Sequence, residues 1–109
     1  MNKVILTGNL GIQPSIGVVG NTLKTHLRIA VQRSLSKRDS DKKPEVDWFF
    51  VTVWGKQAEL CHKYLKKGSK VLIEGSLRVN EWTEDDSTRR FATEITAHHV
   101  EFLDKVLKD

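Results

Sequence analysis

The segment from Asp47 to Trp54 carries large apolar side chains on both faces of one predicted strand. Side chains alternate between the two faces of a strand, so one face takes Phe49, Val51 and Val53. The opposite face takes the remaining set, which is Trp48, Phe50, Thr52 and Trp54. A hydrophobic core needs only the first of these faces. The second, aromatic face therefore predicts a contact surface that lies outside the core.

The length and composition are those of one small globular domain. The chain has 109 residues, of which 39% are hydrophobic and 29% charged, and its formal net charge is +4. It contains no apolar run of membrane-spanning length and no signal-like opening segment, so we expect a cytoplasmic protein. The single cysteine, Cys61, permits no internal disulfide, which agrees with a reducing compartment. The positive charge is compatible with a polyanionic partner but does not specify one.

The periodicity of apolar residues predicts five strands and one helix. Strands are expected over residues 2–11, 22–33 and 47–55; a fourth contains residues 71–79, and a fifth begins near residue 89. The helix is expected over residues 57–67, with Gly68 after it as a left-handed cap. Its apolar stripe is formed by Ala58, Cys61, Tyr64 and Leu65. Proline and glycines interrupt residues 14–20, a long polar loop covers residues 34–45, and residues 83–88 turn the chain.

Individual residues and the parity of apolar positions predict further details of the strands. Gly8 predicts a bulge or a sharp bend in the first strand. The core side of the fourth strand is expected to carry Val71, Ile73, Leu77 and Val79. In the fifth strand Phe91 and Ile95 share one parity, whereas Val100 and Phe102 share the other. This switch predicts a bulge or a change of face near His98.

The order of three strands, one helix and two strands indicates the fold class. It is the connectivity of the OB-fold, an all-β, five-stranded Greek-key barrel with one helix between strands 3 and 4. Such barrels bind oligonucleotides across their middle strands and loops. Pattern alone leaves other topologies open.

The three tryptophans are candidate stacking platforms for unpaired bases. Trp48 and Trp54 lie on the outward parity of their strand, and Trp82 shares its parity with polar residues of the fourth strand. Phe50 lies beside them and is a further candidate. Every base has a π-face, so such platforms accept any sequence. Core packing and a subunit interface are the competing interpretations of these rings.

Cationic side chains accompany the aromatic ones. Arg28, Arg78 and Lys24 have outward parity, Arg33 begins the long polar loop with Lys37 and Arg38, and Lys56 follows Trp54. Arg28, Lys56 and Arg78 are the stronger candidates for phosphate contacts, and a solvated surface is the alternative. Lys63 and Lys66, on the predicted helix, are interpreted as solvated, and Lys67 is left open between the two interpretations.

The sequence offers no support for catalysis. The four histidines lack metal-ligand spacing, and one cysteine is too few for a structural zinc site. There is no glycine-rich phosphate loop with a lysine and no serine–histidine–aspartate pattern. Glu84, Asp85 and Asp86 are expected at a solvated hairpin tip, and Cys61 is expected as a small buried hydrophobe. We therefore expect neither enzymatic activity nor a cofactor nor a metal.

Several stretches of the sequence resemble one known family. They are Asn2–Gly11, Trp54-Gly55-Lys56, Tyr64–Gly75 and Glu81-Trp82-Thr83, which run in order through nearly the whole chain. They look like the bacterial single-stranded-DNA-binding protein. The resemblance implies an OB-fold homo-oligomer, usually a tetramer, that wraps single-stranded DNA without sequence preference. It also implies roles in replication, recombination and repair, and a location in the cytoplasm at the nucleoid.

The resemblance transfers to individual residues. Trp48 and Trp82 stand at the family's stacking tryptophans, and Trp54 replaces a stacking phenylalanine. Lys56, Lys67 and Arg78 keep the positive charge of family positions. The departures are Leu35 for a frequent tryptophan, Phe50 for a usual arginine, and Asn80 and Glu81 for two basic residues. The predicted DNA-binding residues are Trp48, Phe50, Trp54, Trp82, Arg28, Arg33, Lys56, Lys67 and Arg78.

The end of the chain departs from the family pattern. Members normally continue into a glycine-rich tail with an acidic tip, whereas this chain stops at Asp109. We expect an OB-fold domain over residues 1–105 and a short end, 106–109, without that tail. A trimmed chain, a phage or plasmid variant, and a relative of the primosomal replication protein, which is dimeric, all fit. A tailless adaptor for replication proteins and a binder of single-stranded RNA remain alternative functions.

Overall fold

The computed structural model describes residues 1–33 and 45–104. The predictions for Leu35, Lys37, Arg38 and residues 106–109 lie outside these ranges. The described residues form six strands and one helix. In chain order these are β1 (Val4–Leu10), β2 (Ser15–Val19), β3 (Thr22–Gln32), β4 (Val46–Trp54), α1 (Gly55–Tyr64), β5 (Lys70–Thr83) and β6 (Arg89–Phe102).

Five of the strands close into a barrel. The sheet has the order β1-β5-β6-β4-β3-β2, and β1 also pairs with β3 at Asn9 and Leu10. The β4–β6 pairing is parallel, and the other pairings are antiparallel. The helix connects β4 to β5, which are the third and fourth strands of the barrel. The predicted OB-fold is therefore confirmed.

The strand β2 was not predicted. Residues 14–20 were expected to be irregular because they contain one proline and two glycines, yet residues 15–19 pair with β3 from Ser15–His26 to Val19–Thr22. Proline precedes the strand and Gly20 lies in the hairpin turn, so neither removes a hydrogen bond from the ladder. All five residues of β2 are exposed. The strand thus extends the sheet at its edge and adds nothing to the barrel core.

The helix begins two residues earlier than predicted and ends three residues earlier. Leu65 is already extended, although its N–H donates to the carbonyl of Cys61. Gly68 is therefore not the cap of the helix; it lies in the following turn, where its N–H donates to the carbonyl of Leu10. Ala58 and Cys61 are buried as expected, and burial raises the pKa of the Cys61 thiol to about 11. Cys61 thus behaves as a small core residue.

The core fills the barrel interior. Its largest fully buried apolar side chains are Leu27, Ile29, Val51, Val53, Val71, Ile73 and Ile95. Leu77 and Val79 were expected in this core, but both are exposed. They have the inward parity, yet β5 and β6 remain paired as far as Thr83 and Arg89 and extend beyond the barrel. We call residues 76–95 the β5–β6 arm.

A bulge lies where the arm leaves the barrel. Glu74 pairs with His99 and Gly75 with Ala97, so His98 is the extra residue, as the change of parity predicted. The side-chain amide of Gln57 donates to the carbonyl of His98 and accepts from the N–H of Val100. By contrast, β1 pairs with β5 without interruption through Gly8. Of the bulge and the sharp bend predicted at Gly8, the bulge is therefore absent, and the glycine permits close approach to the backbone of Ala30.

Candidate nucleic-acid interface

Outward-facing side chains of four adjacent strands form one continuous surface, which we call the open face. The inward neighbours Val51, Val53 and Ile95 are buried, so the alternate positions point away from the core. The strands β3, β4, β6 and β5 are adjacent in that order. The open face comprises Lys24, His26, Arg28, Trp48, Phe50, Trp54, Glu94, Thr96, Ser76, Arg78, Asn80 and Trp82. Thr52 has the same parity but is buried.

The four predicted aromatic residues lie on the open face and are accessible. Their exposed fractions are 47% for Trp48, 61% for Phe50, 38% for Trp54 and 46% for Trp82. Core packing is therefore excluded for these rings within the protomer. The first three lie on β4, whereas Trp82 lies on the arm. The surface thus presents flat apolar rings on both sides of β6.

The indole ring of Trp48 packs against Gly11. A methyl group at that position would lie 2.7 Å from Cη2 of the indole ring, closer than carbon atoms can approach. The ring therefore packs directly on the backbone where β1 ends. Such support restricts the orientation of the indole, which remains 47% exposed.

Arg28 lies against two of the rings. It is the cross-strand partner of Phe50, and its guanidinium carbon lies 4.5 Å from the centroid of Trp48 and 5.8 Å from that of Phe50. Both distances are within the range of a cation–π contact. Its buried Nε has no hydrogen-bond partner among the described residues. Among residues 1–33 and 45–104, aromatic rings rather than carboxylates contact this cation, which favours its binding to an anion.

The other basic residues have different surroundings. Lys24 extends over Trp54, with Nζ 4.9 Å from the ring centroid. Lys56 is highly exposed and forms a 3.4 Å ion pair with Glu59, and pairs of this kind are weak in water. Lys67 is exposed in the turn after α1, where its N–H donates to Oε1 of Gln13. Arg78 is exposed on the open face opposite Glu94.

Arg33 is committed to two carboxylates. Its Nε donates to both oxygens of Asp47, at 2.9 and 3.0 Å, and its other nitrogens bind Asp47 and Glu45. The hydrogen bond from Arg33 holds the pKa of the Asp47 carboxyl below its usual range. In the same way, Asp47 raises the pKa of Arg33. This cluster joins the ends of β3 and β4, so Arg33 is the weakest of the predicted phosphate contacts.

The tip of the arm is acidic and solvated. Glu84, Asp85 and Asp86 are exposed, and hydrogen bonds from Thr88 lower the pKa of Asp86. Across residues 1–33 and 45–104, no three histidine, cysteine or acidic side chains come together as metal ligands would. Nor does any helix in those ranges have the length and hydropathy of a membrane span.

Sequence reasoning missed two residues of the open face. His26 lies between Lys24 and Arg28 on β3, and Glu94 lies next to Ile95 on β6. Strand parity was the available signal for both. Parity already places His26 on the outward face of its strand beside Lys24 and Arg28, but neither His26 nor Glu94 was predicted to bind DNA.

Comparison with known proteins agrees with this geometry. The model of the single-strand binding protein family matches residues 1–103. The chain belongs to that family. A single-stranded DNA-binding protein of Xylella fastidiosa is 36% identical over 104 residues, which cover 94% of this chain and 63% of that protein. The chain thus spans less than two thirds of that relative's length.

A solved structure of a family member shares the fold. The Plasmodium falciparum SSB complex with ssDNA superimposes with a TM-score of 0.83 at 29% identity. The match covers 95% of this chain and 96% of that one. The family match over residues 1–103 therefore covers both the barrel and the arm.

Proposed function

We propose that this protein binds single-stranded DNA without catalysis and with broad tolerance of sequence. The observation that carries the proposal is the open face itself, where four exposed aromatic rings lie among basic side chains and two of them, Trp48 and Phe50, contact the guanidinium of Arg28. Family membership and the similarity to an SSB complex with ssDNA support the same function. They favour it over the adaptor and RNA-binding alternatives. The cellular roles we infer are replication, recombination and repair in the cytoplasm.

Base stacking on aromatic rings and neutralisation of phosphates by basic side chains both contribute to binding. Bases stack on Trp48, Phe50, Trp54 and Trp82, each contributing about 1–3 kcal/mol. Phosphates are neutralised by Arg28, Lys56, Lys67 and Arg78, which fixes the backbone without reading its sequence. Duplex DNA hides its base faces within the stack. A surface built from rings therefore selects single strands.

Titration with a dT oligomer tests this function directly. Tryptophan fluorescence is expected to fall on binding, since all three tryptophans lie on the open face. Four phosphate contacts predict a slope of about −3 when log affinity is plotted against log salt concentration. A duplex of equal length serves as the control and is expected to bind far more weakly. Unchanged fluorescence, or equal affinity for the duplex, would contradict the proposal.

The salt dependence of DNA binding also distinguishes Arg28, which lies on β3, from Arg33, which follows the end of β3. Arg28→Gln is expected to reduce the magnitude of the slope by about 0.7, because one phosphate contact is lost. Arg33→Gln is expected to leave the slope unchanged, because Asp47 and Glu45 already neutralise that side chain. Equal changes in both variants would show that phosphate displaces the carboxylates from Arg33.

We further propose that the protein acts as a homo-oligomer, either a tetramer or a dimer. The inner side of the arm exposes Leu77, Val79 and Phe91, next to one another across β5 and β6. Such a patch suits an interface between copies, where apolar and aromatic residues concentrate. The mass of the protein in solution distinguishes the two assemblies, and a monomer at micromolar concentration would contradict both.

A further inference from the structure

Glu94 places a carboxylate in the middle of a surface proposed to bind a polyanion. It lies on β6, where Arg78 of β5 is its cross-strand partner and the hydroxyl of Thr52 on β4 donates a hydrogen bond to it. The ladder between β4 and β6 covers Val51–Ile95 to Val53–Ala97, whereas β6 stays paired with β5 as far as Arg89. The arm therefore diverges from β4 at Glu94, and β6 lies between β4 and β5, the strand that carries Trp82.

The carboxylate of Glu94 has few hydrogen-bond partners in the part of the chain that the structure describes. Its hydrogen bond among the described residues is a long one, 3.4 Å, from the hydroxyl of Thr52. No ion pair to it is found in those residues, although Arg78 is its cross-strand partner. The side chain is half-buried. A half-buried charge with open acceptor positions gains most from a donor supplied by a ligand.

The negative charge of Glu94 determines which part of the DNA can approach it. A phosphate is repelled by the carboxylate, so the backbone must run along the rim, where Arg28 and Arg78 lie, and the base edges point inward. An ionised carboxylate only accepts hydrogen bonds. Cytosine, adenine and guanine carry an exocyclic amino group as a donor. Thymine and uracil carry none, and their Watson–Crick edge offers a single N3–H between two carbonyl oxygens, which repel a carboxylate.

We propose that Glu94 accepts a hydrogen bond from the amino group of a bound base and so favours amino-bearing bases over thymine and uracil. This inference rests on the proposed function and adds a modest preference to binding that otherwise tolerates any sequence. Cytosine is the best probe, because its amino group is the donor that glutamate accepts most directly. The expected preference for cytosine over uracil is about three- to tenfold in affinity for a short oligomer.

The test compares oligomers of dC and dU of equal length, which differ mainly at the edge that would face Glu94. Wild-type protein is expected to bind dC more tightly, and Glu94→Gln is expected to abolish most of that ratio, because an amide donates as well as accepts. Glu101→Gln is the matched control, since it removes the same charge from the same strand outside the arm. It is expected to preserve the ratio.

The outcomes separate this inference from the proposed function. Failure of the wild type to bind either oligomer would overturn the function itself. Tight and equal binding of dC and dU by the wild type would leave the function standing and overturn the role of Glu94, whether or not the variant folds. A uniform gain for both oligomers in Glu94→Gln would also overturn it, because the carboxylate would then act by charge alone.

Discussion

Replacing Trp48 by alanine is expected to weaken binding of a short dT oligomer by about 10- to 100-fold, the equivalent of one strong stacking platform. The loss has two sources. The ring itself is removed, and the guanidinium of Arg28 loses the closer of its two aromatic partners, at 4.5 Å. Arg28 is then free to change rotamer, which misplaces a phosphate contact as well. We therefore expect Trp48→Ala to exceed the effect of removing any other single ring.

The measurement is the anisotropy of a labelled oligomer, because tryptophan fluorescence changes in the variant itself. Tyr64→Ala is the matched control, since Tyr64 is also an exposed aromatic residue, 40% accessible, but lies on α1. It is expected to bind as the wild type does. Trp48→Phe should recover much of the affinity by restoring a smaller ring. Equal affinities of Trp48→Ala and Tyr64→Ala would show that β4 is not the binding surface.

The open face could be predicted from sequence because strand parity is a local property. Phe49, Val51 and Val53 already fill the inward side of β4, which leaves Trp48 no place in the core. The same rule failed for Leu77 and Val79. Parity shows which side of a strand a residue occupies, but not whether another layer covers that side. The length of the arm beyond the barrel is a tertiary property, and it decides their exposure.

The side chains that contact each charged residue also could not be predicted from the sequence. Arg28 and Arg33 both lie on or beside β3 and look equivalent in the sequence. The register of β4 places Phe50 opposite the first, and the neighbouring carboxylate of Asp47 neutralises the second. Register depends on the whole barrel rather than on either segment. The structure therefore places the positive charge of Arg28 beside the ring of Phe50 on the adjacent strand.

The second large effect concerns the bulge at the base of the arm. Gly75→Ala is expected to lower the free energy of unfolding by about 2–3 kcal/mol, at the upper end of the cost of overpacking. The added methyl carbon would lie 2.9 Å from the carbonyl carbon of Thr96 and 3.0 Å from Cα of Ala97. Both are backbone atoms of β6, so no change of rotamer relieves the contact. The two strands must separate where the bulge at His98 holds them.

Urea denaturation followed by circular dichroism measures this loss, and Gly17→Ala is the matched control. A methyl group at Gly17 meets no atom within 4 Å, and the residue lies in the exposed strand β2. That variant is expected to be as stable as the wild type. The strain at Gly75 also reaches the binding surface, because Ser76, Arg78 and Trp82 follow on the same strand. A folded Gly75→Ala protein should therefore bind DNA more weakly, whereas full stability with full affinity would show that the arm does not depend on the close contact of β5 and β6 at its base.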